Sequence, residues 1–410
     1  MPSKFSISNH GTGPQNIAAG DGPQSNLSGA GTQHNYYGLA APPPLPSQSQ
    51  KIQSCVSSQT RPSCREDFQI AIICALSIEY DAVTLQFDQF WDEEGEVYGR
   101  ASTDTNTYTT GRIGKYNVVL ALLPNMGKGA AAGATASLRS SYSRLRLAFL
   151  IGICGGVPGT DGNERLLGDV IISKAVLQFD FGRQFSNKFV TKNTLDDNLG
   201  RANKDIRSLI ASFETALGRK RLRKSASEYL KDLQSAAVRE EYPCTYQYLG
   251  VAEDKLFPPT YQHKHRESQL CTICEESDSY CEEAARASCA ELRCNEGELL
   301  HRKRLDLKKS LRPDEMQCPE IFIGRIASGD TVMKSGDHRD QIADQQDVIA
   351  FEMEGAGAWD EVPCIIIKGI CDYADSHKNK KWQPFAAATA ASVMKAVLGR
   401  YAPTDRPTQA

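Results

Sequence analysis

Seven short, nearly continuous apolar runs mark the chain after residue 66. They are FQIAIICA (68–75), NVVLALLP (117–124), LAFLIGICGG (147–156), GDVIISKAV (168–176), EIFIGRIAS (320–328), DVIAFEME (347–354) and CIIIKGICD (364–372). Runs of this length without polar alternation predict central strands buried on both faces. Helical spacing lies between them. Ile78, Ala82, Val83 and Phe87 share one side of a helix, and GKGAAAGATASLRSSY (127–142) suits a helix whose small residues permit close packing. Further helical stretches fall around 203–217 and 225–240, and a last one near Phe385–Leu398. Strands alternating with helices predict the α/β class.

Outside this rhythm the composition changes twice. Residues 1–66 are dominated by Gly, Ser, Gln, Asn and Pro, with Pro42-Pro43-Pro44 as a stiff linker, and read as a disordered tail. Within them a unit repeats every nine residues: Gly13-Pro14-Gln15-Asn16, then Gly22-Pro23-Gln24-Ser25-Asn26, then Gly31-Thr32-Gln33-His34-Asn35. Gln and Asn form hydrogen-bonded ladders in stacked cross-β assemblies, and spaced glycines permit turns between short strands. The segment resembles the short amyloid signalling motifs of fungal immune receptors and effectors, which implies amyloid-type assembly through residues 1–40. Residues 196–318 form the second break, a helical and then cysteine-rich insertion between two parts of one sheet. The expected organisation is a tail (1–66), one domain (67–400, insertion 196–318) and a short C-terminal tail (401–410).

A net charge of −3 gives no global attraction to nucleic acid or to anionic membranes. No apolar run approaches membrane-spanning length, and MPSKFSISNHGTG lacks the apolar core of a secretory signal. The expected setting is a reducing cytoplasm in which most of the thirteen cysteines are free thiols.

Ligand sites of open α/β sheets lie at the carboxyl ends of strands. Four polar or glycine-rich elements fall there: Ser77-Ile78-Glu79, Gly155-Gly156, Glu352-Met353-Glu354 and Cys371-Asp372. Taken singly, each reads as a helix start, a turn or an N-cap. In this order, with FEMEGAG, GICDYAD, GICGG and IASGD, they resemble the nucleoside phosphorylase/nucleosidase superfamily. The similarity is greatest to the methylthioadenosine/adenosylhomocysteine nucleosidase branch and its fungal relatives, over about 68–183 and 320–398. The resemblance implies a nucleoside-phosphorylase-type domain with a central mixed sheet flanked by helices, a purine nucleoside or nucleotide as ligand, homo-oligomerisation and no cofactor.

The chemistry explains those residue types. Cleaving a purine N-glycosidic bond leaves positive charge on the ribosyl ring and negative charge on the base. A carboxylic acid near N7 makes the base a better leaving group. By resemblance Asp372 is that acid, with burial after CIIIKGI expected to raise its pKa. Glu79 matches the carboxylate that orients or deprotonates water, and Glu354 the acceptor of the ribose hydroxyls. Met353 packs on the ribose and Phe351 on the base, while Glu352, Gly155 and Gly156 line the ligand. Gly152 would let that ligand approach the backbone.

Departures from the family pattern refine the reading. Leu150 stands where phosphorylases carry a phosphate-binding arginine, Pro124 replaces a nucleosidase serine, and Cys371 replaces the usual serine before the acid. Glu79 with Leu150 favours water as nucleophile, although Lys128, Arg146 or Arg183 could supply a phosphate site. Arg183, Lys188, Lys378 and Lys381 read either as a solvated surface or as a cationic rim for a 5′-phosphate. Related immune domains imply adenine nucleotides, including ATP, as substrates of a cell-death effector. The leading expectation is therefore a purine nucleosidase. A phosphorylase, a catalytically idle nucleotide sensor and an amyloid adaptor remain as alternatives. The insertion offers His263, His265, Cys271, Cys274, Cys281, Cys289 and Cys294. Cys271-Thr272-Ile273-Cys274 has metal-ligand spacing that a second pair or the histidines could complete, but Cys281, Cys289 and Cys294 form no matching CxxC, so no metal is expected. The basic run HRKRLDLKKSLR (301–312) reads as a solvated face.

Overall fold

The computed structural model describes residues 61–93, 98–160, 162–186, 188–192, 194, 196–266, 271–275 and 280–402. The nine-residue repeat and the assembly expected of residues 1–40 lie outside the described residues. The description concerns the unit Ser58–Ala410.

All five residues of β1 (Ile70–Cys74) are buried, as their unbroken apolar run requires. After it come α1 (Ser77–Thr84), β2 (Gln89–Phe90), β3 (Tyr108–Ile113) and β4 (Tyr116–Leu122). Next are α2 (Lys128–Ser141), β5 (Leu147–Gly156), β6 (Val170–Gln178) and a small hairpin, β7 (Gly182–Gln184) with β8 (Phe189–Thr191). Helices α3 (Lys204–Glu214), α4 (Ala216–Arg239), α5 (Glu282–Arg286), α6 (Lys303–Lys309) and α7 (Pro313–Met316) fill the middle of the chain. The end is β9 (Ile321–Ser328), α8 (Gly336–Gln346), β10 (Val348–Glu352), α9 (Gly355–Trp359), β11 (Cys364–Asp372) and α10 (Gln383–Arg400).

Nine strands form one mixed sheet in the order β10-β9-β6-β11-β5-β1-β4-β3-β2, and β10 also pairs with β5. That extra pairing is antiparallel, with Phe351 opposite Gly155 and Ala350 opposite Gly156. Strands β5, β11, β6, β9 and β10 thus close into a ring, while β1 to β4 extend as an open wing. Closure brings the carboxyl ends of β5, β10 and β11 to one place, where the sequence put its candidate residues. The sheet is α/β and mixed, as expected.

Helix α10 is buried nearly all round, from Phe385 to Leu398, so it lies inside the protein and not over its surface. Helix α4 covers it with a stripe of buried Leu222, Ala226, Leu230, Leu233 and Ala237. Thr215 caps α4 by accepting from Gly218 N at 3.0 Å. Residues 204–239 therefore belong to the main core, whereas the sequence placed them in an insertion. Their helical period was legible; the buried partner α10, more than a hundred residues away, was not.

Two other surface expectations change. Arg302 and Lys308 of the basic run are each only 6% exposed. Arg302 donates to Asp254 Oδ1 at 2.7 Å, Arg304 donates to Asp169 Oδ1 at 2.7 Å, and Lys308 lies 5.2 Å from the Tyr248 ring. The buried carboxylates Asp169 and Asp254 require counter-charges, which this run supplies. The tail expected to end at 66 is docked from residue 61. Arg61 donates to Trp91 O at 2.8 Å and the Tyr98 hydroxyl to Pro62 O at 3.1 Å. No helix among the described residues is long and apolar enough to cross a membrane.

Candidate active site

Glu79 lies in the first turn of α1, yet only 2% of it is exposed. Its Oε2 accepts from the backbone N–H groups of Ala75 and Leu76, both at 2.9 Å, and its Oε1 from Ile153 N at 2.9 Å. A carboxylate offers about four lone-pair positions, so three amides leave Oε1 room for one more donor, such as a water. A Cβ on Gly152 would stand 2.3 Å from Glu79 Oε1. The close approach that Gly152 permits is therefore made by Glu79 and not by a ligand. Burial raises the Glu79 carboxyl above the usual glutamate range; Lys368 opposes this and Glu354 adds to it. That direction suits a base working nearer neutral pH.

Lys368 is a buried charge of the candidate site that sequence reasoning missed. It is 1% exposed in the middle of β11, with Nζ 3.1 Å from Glu354 Oε2 and 3.7 Å from Glu352 Oε2. In register it faces Gly152, which places its charge beside Glu79. Desolvation disfavours the ammonium, but Glu354, Glu79 and Glu352 outweigh it and hold the amine above its ordinary value. The signal was present as a lone lysine inside CIIIKGICD, since an unpaired cation there would be untenable.

The two glutamates of FEME divide their work. Glu354 reaches Lys368 and accepts weakly from Gly127 N at 3.4 Å. Glu352, expected to line the ligand, instead accepts from Glu354 N at 3.1 Å and Gly355 N at 2.9 Å, holding the turn into α9. Burial raises its carboxyl. Met353 between them is half-buried. Phe351 is 5% exposed and makes an edge contact with Phe179 at 5.5 Å, in a small cluster with Ala327, Met333 and Ala374.

Asp372 ends β11 just where its register against β5 slips, between Ile370 and Asp372. Such a slip re-aims the following side chain. Its Oδ1 accepts from Ala374 N and from Lys378 Nζ, both at 2.8 Å, and Cys371 Sγ lies 3.5 Å from Oδ2. A Cβ on Gly155 would meet Asp372 Oδ1 at 2.9 Å, and one on Gly156 would meet Ile370 at 2.8 Å. Glycine at 155 is thus what lets Asp372 reach the strand. Gly152 beside Glu79 and Gly155 beside Asp372 are three residues apart, about 10 Å of strand.

The remaining candidates disperse. Lys378 is on Asp372 and not on an open rim. Arg183 is exposed in the β7–β8 hairpin, and Lys188 and Lys381 are exposed as well. Lys128 pairs with Asp180 at 2.5 Å and Asp330 at 3.6 Å. Arg146 is exposed before the first residue of β5, at the end of the strand away from Gly155. Leu150 is fully buried in the core.

Residues 69–239 match the model of the Phosphorylase superfamily. The chain is 31% identical over 349 residues to a nucleotide-binding leucine-rich repeat (NLR)-like protein of Hyaloscypha variabilis. The match covers 83% of this chain, which spans only 30% of that protein's length. Among solved structures, the Helicobacter pylori futalosine hydrolase is 14% identical with a TM-score of 0.44, covering 81% of this chain and 98% of its own. The methylthioadenosine/adenosylhomocysteine nucleosidase of Colwellia psychrerythraea, solved with adenine, is 17% identical with a TM-score of 0.46, covering 82% and 96%.

Proposed function

We propose that the domain hydrolyses the N-glycosidic bond of an adenine nucleoside or nucleotide, with water as nucleophile. One observation carries this reading. Two carboxylates meet β5 near its carboxyl end: Glu79, buried with one acceptor position unfilled, beside Gly152, and Asp372 beside Gly155. Glu79 would take a proton from water as it attacks C1′, and Asp372 would deliver one to N7 of the departing base. Glu354 would hold the ribose hydroxyls, its charge favouring the cationic ring. Lys368 would hold Glu354 in place through its ion pair and opposes the rise that burial imposes on Glu79.

Water is favoured over phosphate because the cations that phosphate would need are engaged or remote. Lys128 is paired to two aspartates, Arg146 is exposed before β5, and Leu150 occupies a core position. For the substrate, a 5′-phosphorylated adenine compound, with ATP and dATP included, rests on the cationic residues Arg183, Lys188 and Lys381 of the sequence; the structure shows them exposed and does not gather them at the two carboxylates. The name of the Hyaloscypha relative supports placing the domain in an immune-type receptor or effector.

The test is release of free base from a panel of nucleosides and nucleotides, run with and without phosphate. Ribose or ribose 5-phosphate as co-product supports hydrolysis, and ribose 1-phosphate would establish phosphorolysis. Turnover of methylthioadenosine equal to that of the nucleotides would remove the case for a phosphorylated substrate.

A further inference from the structure

We propose that residues 261–294 form a zinc module with two sites, the second of which ties the module to the loop after Asp372. The first site is His265, Cys271, Cys274 and Cys281, whose ligand atoms all lie within 4.8 Å of one another. Cys271 Sγ is 3.7 Å from Cys281 Sγ, and His265 Nδ1 is 3.4 Å from Cys274 Sγ and 3.9 Å from Cys281 Sγ. Two sulfurs at about 2.3 Å from one tetrahedral ion would stand about 3.8 Å apart. The sulfurs of Cys271 and Cys281 are thus too far apart for a disulfide and at the right distance to share a metal. The spacing His-x5-Cys-x2-Cys-x6-Cys has no second CxxC, so the fourth ligand is visible only once the chain has folded back.

The surroundings need such an ion. Among the described residues, the apolar cluster of this segment holds Cys274, Cys281, Ala284 and Leu292 as buried members, two of them ligands of the first site. A core this small organises little chain by itself, whereas a structural zinc supplies folding free energy directly. Binding would displace the thiol protons to solvent and leave thiolates on the ion. Three sulfurs and an imidazole are a donor set suited to Zn2+ over Mg2+ or Ca2+.

The second site is His263, Cys294 and His377, also mutually within 4.8 Å, with Cys289 alongside. His263 Nδ1 is 3.5 Å from Cys294 Sγ and 3.7 Å from Cys289 Sγ. Its other nitrogen, Nε2, lies 2.9 Å from Ala287 O. Donation there fixes the tautomer and leaves Nδ1 as the free lone pair, the arrangement usual for a metal-bound imidazole. His377 is held by stacking on Phe257 at 4.3 Å, and its buried Nε2 has no hydrogen-bond partner among the described residues. His377 is five residues after Asp372 and immediately before Lys378, which pairs with that carboxylate. An ion here would therefore fix the segment that delivers Lys378 to Asp372.

The experiment uses the full chain, kept reduced, stripped with a chelator and titrated with Zn2+ against a chromophoric competitor, then separately with Co2+. About two equivalents should bind, and Co2+ should give the thiolate charge-transfer and visible bands of tetrahedral sites. C271S/C274S should lose one equivalent. H377A should weaken the other by more than about tenfold. In the parent chain, zinc should slow amide exchange across residues 373–381, and it should not in H377A. Absence of thiolate–cobalt bands in the parent chain overturns the module, whatever the variants do. A single equivalent, abolished by C271S/C274S and indifferent to H377A, overturns the link to the Asp372 loop.

Discussion

Replacing Lys368 by Met keeps the length and packing of the side chain and removes the charge that three buried carboxylates share. Nζ stands 3.1 Å from Glu354 and 3.7 Å from Glu352, and both partners are buried. Removing one partner of a buried ion pair leaves the other uncompensated, at a cost of about 3–5 kcal/mol. For a large domain each kcal/mol lowers Tm by about 2 °C, so a fall of about 6–10 °C is expected near neutral pH. The cost must depend on pH. Burial raises the carboxyls of Glu79 and Glu352, and without Lys368 nothing of its charge opposes that rise, so the folded state binds more protons than the unfolded one. The penalty is then fully present above the folded pKa values and is relieved as pH falls through them. Thermal unfolding followed across the range from about pH 5 to about pH 8 should show the Tm gap narrowing toward acid. A gap under about 2 °C at neutral pH, or one of constant size across the range, would refute the shared-charge account.

The other predictions concern the chemistry. Asp372→Asn should slow base release by about 10²–10⁴-fold while ligand binding survives, read by burst kinetics and by equilibrium binding; near-normal release would remove Asp372 as the acid. Gly152→Ala sets a methyl 2.3 Å from Glu79 Oε1, so the carboxylate must leave Ile153 N–H. Its kcat should fall by about a hundredfold with KM little changed, and an unchanged kcat would mean Glu79 is not the base. The acidic limb of kcat/KM should lie above the usual glutamate range, because burial raises Glu79 and a base is lost as it protonates. A limb at or below that range would place the base elsewhere.

Much of the scaffold was legible because the ring strands are buried on both faces and so write themselves as apolar runs. Strand β3, YTTGRI, was missed: it is only half-buried and mixes polar residues with apolar ones. Glu79, Glu354 and Asp372 were findable because each follows a strand. Lys368, Arg302 and Arg304 were not read correctly, since sequence shows a charge without showing the carboxylates that fold onto it. Which histidine gathers with which cysteines was hidden for the same reason, although His265, Cys271, Cys274 and Cys281 were all candidates. That gathering joins residues in an irregular segment, where neither helical nor strand periodicity relates one position to another.

A ring of strands has no ends, and this has a consequence for self-association. Strand β10 would be the natural docking edge of a nine-stranded sheet, but its pairing with β5 uses up part of that edge. The other end of the sheet is β2, two residues long and half-buried. Such a stub offers little backbone for another chain to copy. The folded domain is thus a poor template for growth by strand addition, so a cross-β polymer nucleated elsewhere in the chain could carry many copies of the domain without recruiting their sheets into the fibril.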